Sequence, residues 1–278
     1  MYAKKSLGQN FLRCEWVVDE IIRAAKLTPE DTVLEVGPGT GVLTRALAAA
    51  AGHVIAVEKD ERLASTLHDE LKKEEITNVK IVSADILKVL PQLFAAYNLP
   101  ATLDRRLQPG EASYKLVANI PYYLTGHLFR LIFEQDRLPK KVVLMLQKEV
   151  AERIAARPPR MSMPALAVQV FGVPEIIAAV PASCFTPEPK VDSAILKISD
   201  ISDDFFPKNK IEKAVFFETA RRGFSQKRKT LANSLAVLAG GDKSEIVRAL
   251  SAVGLAPRTR PEELSPQNWA DLVREFRA

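Results

Sequence analysis

The 278-residue sequence has few of the residues that build metal centres or disulfide frameworks, with two cysteines and three histidines. Cys14 and Cys184 cannot form a framework of several bridges, and the histidines (His53, His68 and His127) complete no metal-ligand cluster. No apolar run approaches the roughly 18 residues of a membrane span. The first residues lack the apolar core of a signal peptide. We therefore expect a cytoplasmic protein with reduced cysteines, no metal and no membrane association.

The overall composition excludes several classes of protein. Hydrophobic residues make up 47% of the chain, and 18 prolines and 12 glycines are too few and too scattered for collagen or low-complexity sequence. Lysine and arginine number 39 against 34 aspartates and glutamates, which gives a formal charge of +5. A globular protein with a sizeable core is therefore expected.

The positive charge is concentrated at the C-terminal end of the sequence. Residues 205–278 hold 14 basic and 8 acidic residues, whereas residues 1–204 are nearly neutral. The densest part is Arg221–Lys229, which has five cations and no acid. Such a block favours binding to a polyanion, although a solvated helix face is an alternative. The predicted RNA-binding residues are Arg221, Arg222, Lys227, Arg228 and Lys229.

The pattern of apolar residues divides the chain near the same point. Up to residue 204, short β-rich runs alternate with helical stretches, which is typical of an α/β domain with a mainly parallel, Rossmann-like sheet. After it the period is helical, with helices predicted over 210–220, 227–239, 244–253 and 266–276. The predicted domains are therefore 1–204, with the sheet, and 205–278, a small, basic, all-helical domain.

A glycine loop follows the first strong strand. Residues 33–41 read VLEVGPGTG, and glycines at such a strand-to-helix turn let the backbone approach a ligand closely. Glu58 ends the next strand, where a carboxylate accepts hydrogen bonds from ribose hydroxyls. Asp85 ends the third strand and is placed to accept a hydrogen bond from an adenine amino group. Gly37, Gly39, Glu58 and Asp85 are therefore predicted to bind a nucleoside.

The loop does not fit every nucleoside cofactor. A nicotinamide fingerprint requires a third glycine where this chain has Val42, and the sequence has no phosphate-binding Lys-Ser/Thr pair. A nucleoside without phosphates is favoured, and S-adenosylmethionine fits. A nicotinamide dehydrogenase remains an alternative.

The fourth predicted strand ends in Asn119-Ile120-Pro121-Tyr122, a pattern suited to an exocyclic amine. The Asn119 side-chain oxygen and a nearby backbone carbonyl, for which Ile120 is our choice, can accept its two N–H bonds. The nitrogen lone pair would then point at a methyl donor, so catalysis would rest on orientation and electrostatics. Tyr122 would stack on a base that has left its helix. A strand-ending cap with a core tyrosine is the structural alternative.

Five segments together resemble the ribosomal RNA adenine dimethyltransferase family, most closely its bacterial small-subunit branch. They lie at residues 4–12 (KKSLGQNFL), 34–41 (LEVGPGTG), 119–123 (NIPYY), 146–153 (LQKEVAER) and 184–194 (CFTPEPKVDSA). The resemblance implies S-adenosylmethionine-dependent dimethylation of N6 of two adjacent adenosines in the 3′-terminal hairpin loop of 16S rRNA. The implied partner is the precursor of the small ribosomal subunit, and the protein is expected to act as a monomer.

The resemblance also implies roles for particular residues. Asn10 and Leu12 would border the methionine part of the cofactor, and Asn119 would lie beside the transferred methyl group. Phe185 would be the second aromatic residue for the target base, although a core position is equally compatible with the sequence. The predicted catalytic residues are thus Asn119, Tyr122 and Phe185, with Asn119 also contacting the cofactor.

Two alternatives and one departure from the family pattern remain. The chain could be a 23S rRNA adenine N6-methyltransferase of the macrolide-resistance type, or a ribosome-assembly binding factor with secondary methylation. Where many bacterial members have Tyr-Gly-x-Leu-Ser, this chain reads RPPRMSMPAL at residues 157–166. Arg157 and Arg160 of that loop are candidates for phosphate contact, with a solvated loop as the alternative.

Overall fold

The computed structural model describes residues 9–96, 114–135, 137–226 and 228–277. Its strands are β1 (Phe11–Leu12), β2 (Thr32–Val36), β3 (His53–Glu58), β4 (Val79–Ser83), β5 (Lys115–Asn119), β6 (Lys141–Gln147), β7 (Val173–Val180), β8 (Phe185–Thr186) and β9 (Ser193–Ser199). Its α-helices are α1 (Glu15–Ala25), α2 (Val42–Ala50), α3 (Glu61–Lys73), α4 (Ile86–Ala96), α5 (Thr125–Phe133), α6 (Lys148–Ala155), α7 (Met163–Gln169), α8 (Phe205–Asn209), α9 (Lys213–Phe224), α10 (Leu231–Leu235), α11 (Lys243–Ala252) and α12 (Pro266–Arg277). None of these helices combines the length and apolar character needed to cross a bilayer.

Seven strands form one sheet in the order β4-β3-β2-β5-β6-β9-β7. The first five strands in this order pair in parallel, and β9 is antiparallel to β6. Because parallel strands need crossover connections, the helices between them cover the sheet. The predicted α/β, Rossmann-like fold is confirmed. The carboxyl ends of β2, β3, β4 and β5 consequently meet at one edge of the sheet.

Burial explains why these segments form central strands. All five residues of β2 are buried, as are the last five of β3, so both faces of these strands are covered. Helices α1 and α2 contribute apolar faces to a core cluster that includes Ile21, Leu47 and Val117. The glycine loop and the ends of β3 and β5 are therefore positioned by a rigid sheet.

The chain divides into two compact units. The first comprises residues 1–151 and 174–201, and the second comprises residues 152–173 and 202–278. This division differs from a single boundary near residue 204, because the end of α6 and all of α7 belong with the C-terminal helices. Apolar periodicity alone did not reveal that association.

The helices of the second unit differ locally from the prediction. The predicted helix over 210–220 begins at Lys213, because Lys210 adopts a left-handed conformation (φ 55°) that ends α8. The predicted helix over 227–239 begins only at Leu231 and ends in a 3-10 turn. The start of α12 agrees with the predicted cap, since the Asn268 N–H donates to Ser265 Oγ at 3.1 Å.

The expectation of two reduced cysteines was wrong for this structure. Cys14 and Cys184 form a disulfide bond, and their Cα atoms lie 5.2 Å apart. The antiparallel pairing of β1 with β8 brings them together although 170 residues separate them in sequence. The spacing of two cysteines in a sequence carries no information about such a pairing.

Candidate active site

An open pocket lies at the edge of the sheet where the parallel strands end. Its space, with the open mouth included, amounts to about 980 Å³. The residues that line it come from β1, β8, the glycine loop and the ends of β3, β4 and β5. The predicted cofactor and catalytic residues that line it are Asn10, Leu12, Gly37, Gly39, Glu58, Asp85, Asn119, Tyr122 and Phe185.

The glycine loop requires residues without a side chain. Gly37 and Gly39 have φ values of 69° and 59°, which residues with a Cβ rarely adopt. A Cβ at Gly39 would lie 3.3 Å from the ring of Phe11, and one at Gly37 would lie 3.5 Å from Cδ of Pro121. The loop is therefore packed between β1 and the segment after β5, and it presents backbone to the pocket.

Glu58 links the second strand to the glycine loop. Its Oε2 accepts a hydrogen bond from the Gly39 N–H at 3.1 Å, and its Oε1 accepts one from the Asp60 N–H at 2.8 Å. Burial raises the pKa of this carboxyl group, and these backbone hydrogen bonds oppose the increase. Each oxygen retains a lone pair that can accept a hydrogen bond from a ligand hydroxyl.

Asp85 is engaged at both of its oxygens. Oδ2 forms an ion pair with Lys59 Nζ at 2.8 Å, and Oδ1 accepts the Leu87 N–H at 3.1 Å at the start of α4. Partial burial raises the pKa of Asp85, but the bonds from Lys59 and Leu87 lower it by more, so its pKa lies below the ordinary value. The carboxylate is thus ionised and held in a defined orientation at the pocket wall.

Asn119 ends β5 between the glycine loop and the end of β6. It pairs in register with Met145, whose carbonyl oxygen accepts the Ile120 N–H at 3.3 Å. The Asn119 side chain is only partly buried and lines the pocket. Its amide is therefore available to a ligand in the pocket.

Four aromatic residues line the pocket: Phe11, Tyr122, Tyr123 and Phe185. The last three lie in different environments. The Tyr122 hydroxyl lies 2.8 Å from Ser193 Oγ. Tyr123 is 49% exposed, and sequence reasoning did not identify it as a site residue. Phe185 is only 4% exposed and belongs to the core cluster, so it is both a core residue and a pocket residue.

The two short strands β1 and β8 form part of the pocket wall. Leu12 pairs with Phe185, Phe11 pairs with Thr186, and the Arg13 N–H donates to the Cys184 carbonyl at 2.8 Å. This pairing places the predicted methionine-binding segment beside the predicted base-binding aromatic. The disulfide joins Cys14, which lies shortly after β1, to Cys184, which directly precedes β8.

Glu35 is a site residue that sequence reasoning missed. It is 1% exposed, lines the pocket, and its Oε2 has no hydrogen-bond partner among the described residues. Burial raises its pKa to about 8, with a smaller contribution from Glu58, while the neighbouring Thr44 side chain opposes the increase. The signal was an acid between the apolar residues Leu34 and Val36 of strand β2. A buried carboxyl group is costly unless it serves a ligand or a buried partner.

The basic block lies in the second unit. Arg221 and Arg222 occupy the last turn of α9, and Arg228 and Lys229 follow it, with all four exposed. Lys227 lies outside the described residues. Phe224, within the block, packs against Trp269 with ring centroids 5.5 Å apart, so it stabilises the helices.

The whole chain matches a known family. The family model described as ribosomal RNA adenine dimethylase covers residues 1–278. A curated relative from Dehalococcoides mccartyi strain BAV1, named ribosomal RNA small subunit methyltransferase A, is 40% identical over 278 residues. The match spans 99% of this chain and 88% of the relative. A protein of the same name from Shouchella clausii is 40% identical over 274 residues, spanning 97% and 88%.

Two solved structures are similar over nearly their full length. A dimethyladenosine transferase from Plasmodium falciparum aligns with a TM-score of 0.77 and 27% identity, covering 96% of this chain and 97% of that one. The 23S rRNA methyltransferase ErmE aligns with a TM-score of 0.70 and 25% identity, covering 97% and 100%.

Proposed function

Because the chain belongs to the ribosomal RNA adenine dimethylase family, we propose that it dimethylates N6 of two adjacent adenosines in the 3′-terminal hairpin loop of 16S rRNA. It is an rRNA adenine dimethyltransferase that uses S-adenosylmethionine. We propose that its substrate is a precursor of the small ribosomal subunit. We also propose that it acts in the cytoplasm and as a monomer. The names of its curated relatives support the small subunit as the target.

The residues of the pocket fit the methyl donor. S-adenosylmethionine supplies an electrophilic methyl group on a positively charged sulfur. Gly37 and Gly39 let the backbone border the pocket without a side chain, and Glu58 retains acceptor capacity for ribose hydroxyls. Asp85 provides a fixed carboxylate for the adenine amine. The Glu35 carboxyl group, whose Oε2 has no hydrogen-bond partner among the described residues, adds a polar group to the pocket wall.

Asn119 is assigned to hold the target amine. The lone pair of an adenine N6 is delocalised into the ring, so the amine is a weak nucleophile. Asn119 Oδ1 and the Ile120 carbonyl can accept its two N–H bonds and favour a pyramidal nitrogen, which aims the lone pair at the methyl group. No strong base is required, because the nitrogen becomes acidic only when it is alkylated.

The aromatic residues are assigned to the target base. An adenine inside a stacked loop cannot reach the pocket, so it must leave its stack before it reacts. Tyr122 is half-buried at the pocket wall and offers a ring for stacking, and Phe185 lines the same pocket. Both sit on segments that are joined to the sheet, so the platform is rigid.

The observation that supports this proposal most is the convergence of Asn119 with Gly37, Gly39, Glu58 and Asp85 in one pocket. A nicotinamide dehydrogenase would not require the Asn-Ile-Pro-Tyr segment there. A 23S rRNA target is not favoured, because the curated relatives at 40% identity carry the small-subunit name.

The test is to incubate the wild-type protein and Asn119→Ala with small-subunit particles that lack the modification, and to map dimethyladenosine by mass spectrometry. The wild-type protein should modify two adjacent adenosines, and Asn119→Ala should lose at least 100-fold in rate while it still binds RNA. A parallel reaction offers purified 23S rRNA to the wild-type protein. Modification of that RNA, with the small-subunit particles left unmodified, would contradict the proposed target. An Asn119→Ala variant that still supports subunit maturation in cells would show that binding, with methylation secondary, is the main role.

A further inference from the structure

Backbone hydrogen bonds join three distant basic segments in the second unit. The Met161 N–H donates to the Glu262 carbonyl at 3.0 Å, which ties the loop that carries Arg157 and Arg160 to the turn after Arg260. The Leu231 N–H donates to the Thr259 carbonyl at 2.9 Å. Residues 157–161, 228–231 and 258–262 are therefore neighbours in space, although about 100 residues separate the first from the last.

Six cations on these segments are exposed: Arg157, Arg160, Arg228, Lys229, Arg258 and Arg260. In the part of the chain that the structure describes, none of the six forms a salt bridge. The acids closest in sequence are Glu262 and Glu263, in the 3-10 turn that follows Arg260. Even with both acids counted, the three segments carry a net charge of +4.

The backbone under these cations is fixed. The Arg160 N–H donates to the Arg157 carbonyl at 2.8 Å, so these two arginines flank a tight turn. Thr259, between Arg258 and Arg260, is 6% exposed and anchors its segment. Arginines on an anchored backbone lose less conformational entropy when they bind than arginines on a loose tail.

We propose that Arg157, Arg160, Arg258 and Arg260 form, with Arg228 and Lys229, one phosphate-binding surface for the RNA backbone. This proposal rests on the proposed function for the identity of the polyanion. It extends the predicted basic block by two segments and gives a role to the loop that departs from the family pattern. Arginine dominates the set, and its planar fork matches phosphate oxygens in two-point contacts.

RNA is favoured over an anionic membrane by the composition of the three segments. A membrane-surface site combines cations with exposed large apolar side chains that enter the lipid. None of the exposed large hydrophobic residues of the described chain falls in residues 157–161, 228–231 or 258–262. The three segments therefore offer cations for phosphate groups but no large apolar side chains that could enter a lipid layer.

The experiment measures the salt dependence of binding to purified 16S rRNA for the full-length protein. The variants are Arg157→Gln/Arg160→Gln and Arg258→Gln/Arg260→Gln. The matched control is Lys208→Gln/Lys210→Gln, which removes two exposed lysines of the same unit. Each cation that contacts a phosphate contributes about 0.7 to 0.9 to the slope of log affinity against log salt. Each test variant should therefore lower the slope by about 1.4 to 1.8, and the control should leave it unchanged.

The outcomes separate this surface from the proposed reaction. A slope equal to that of the wild-type protein in both test variants would overturn the surface, whether or not the protein methylates RNA. The surface would also be overturned if the test variants no longer bound phosphatidylglycerol vesicles while their salt slope for RNA stayed unchanged. The cations would then bind lipid. A reduced slope together with absent methylation would support the surface and count against the proposed function. Thermal unfolding should match the wild-type protein, since all four arginines are exposed.

Discussion

The hydroxyl groups of Tyr122 and Ser193 lie 2.8 Å apart and share a hydrogen bond. Ser193 is fully buried at the start of β9, opposite Gln147 at the end of β6. The other end of the tyrosine is fixed as well, because its carbonyl oxygen accepts a hydrogen bond from Thr125 Oγ1 at 3.1 Å. The ring proposed to stack on the target base is thus held at both ends.

Removal of this hydrogen bond should loosen the ring without loss of its aromatic face. We expect Tyr122→Phe and Ser193→Ala each to lower the single-turnover methylation rate by about 3- to 10-fold, since a hydrogen bond contributes about 0.5–1.5 kcal/mol. The affinity for S-adenosylmethionine should not change. The double variant should be no slower than either single variant, because both remove the same interaction. Losses that multiply in the double variant would show that the two hydroxyls act independently.

The ion pair between Asp85 and Lys59 leads to a second prediction. Asp85→Ala removes the acceptor proposed for the adenine amine, so we expect S-adenosylmethionine affinity to fall by about 10- to 100-fold, since hydrogen bonds to charged groups contribute about 1.5–3 kcal/mol. Lys59→Met removes the ion pair and keeps the carboxylate. Because Lys59 is about half exposed, its loss should change affinity by less than about threefold. Calorimetric titration of both variants provides the comparison.

The lysine variant is the control that gives this prediction its meaning. If Lys59→Met weakened cofactor binding as much as Asp85→Ala, the lysine would be the ligand-binding group and the role of Asp85 would be to hold it. The loss of the Leu87 hydrogen bond at the start of α4 is expected to destabilise Asp85→Ala by about 1 kcal/mol. Binding should therefore be measured well below the unfolding temperature.

The parts of the molecule that could be predicted from the sequence are those set by local pattern and by the geometry of parallel sheets. Apolar runs marked the strands, and acids or glycines at strand ends had to meet at one edge, since parallel strands all end there. That is why Gly37, Glu58, Asp85 and Asn119 could be grouped from the sequence alone. The roles of these residues stay predictions.

The parts that could not be predicted depend on contacts between distant segments. Nothing near Cys14 or Cys184 indicates that β1 pairs with β8, and nothing near Lys59 indicates an ion pair with Asp85. The association of residues 152–173 with the C-terminal helices has the same origin. Local pattern gives the elements, whereas such contacts require the assembled fold.

The disulfide between Cys14 and Cys184 predicts a response to reducing agents. It closes a loop of about 170 residues next to the β1–β8 pair, so its removal should destabilise the first unit by about 2–4 kcal/mol. Cys14→Ser should show this loss in urea unfolding without reductant and no further change when dithiothreitol is added. In dithiothreitol, the free energy of unfolding of the wild-type protein should fall towards that of the variant. A wild-type protein insensitive to dithiothreitol would mean that the cysteines are reduced in solution.

The same bond should affect cofactor binding, because it fastens the strand β1, which contains Leu12 and directly follows Asn10. We expect reduction to weaken S-adenosylmethionine binding by less than about tenfold, since the strand pairing and the Arg13 hydrogen bond remain. Titration with and without dithiothreitol measures the change, and Cys14→Ser is the control for effects of the reductant itself.

The buried carboxyl group of Glu35 predicts how stability depends on pH. Burial raises its pKa to about 8 in the folded protein, whereas it is near 4.5 in the unfolded chain. Between these values the folded state binds the extra proton, so stability falls as the pH rises from about 5 to above 8. Glu35→Gln keeps the shape of the neutral acid and cannot ionise. The free energy of unfolding of the variant minus that of the wild-type protein should therefore increase by a few kcal/mol between pH 5 and pH 9. Urea unfolding without cofactor measures both free energies. A difference that stays constant over this range would show that Glu35 is already ionised at pH 5.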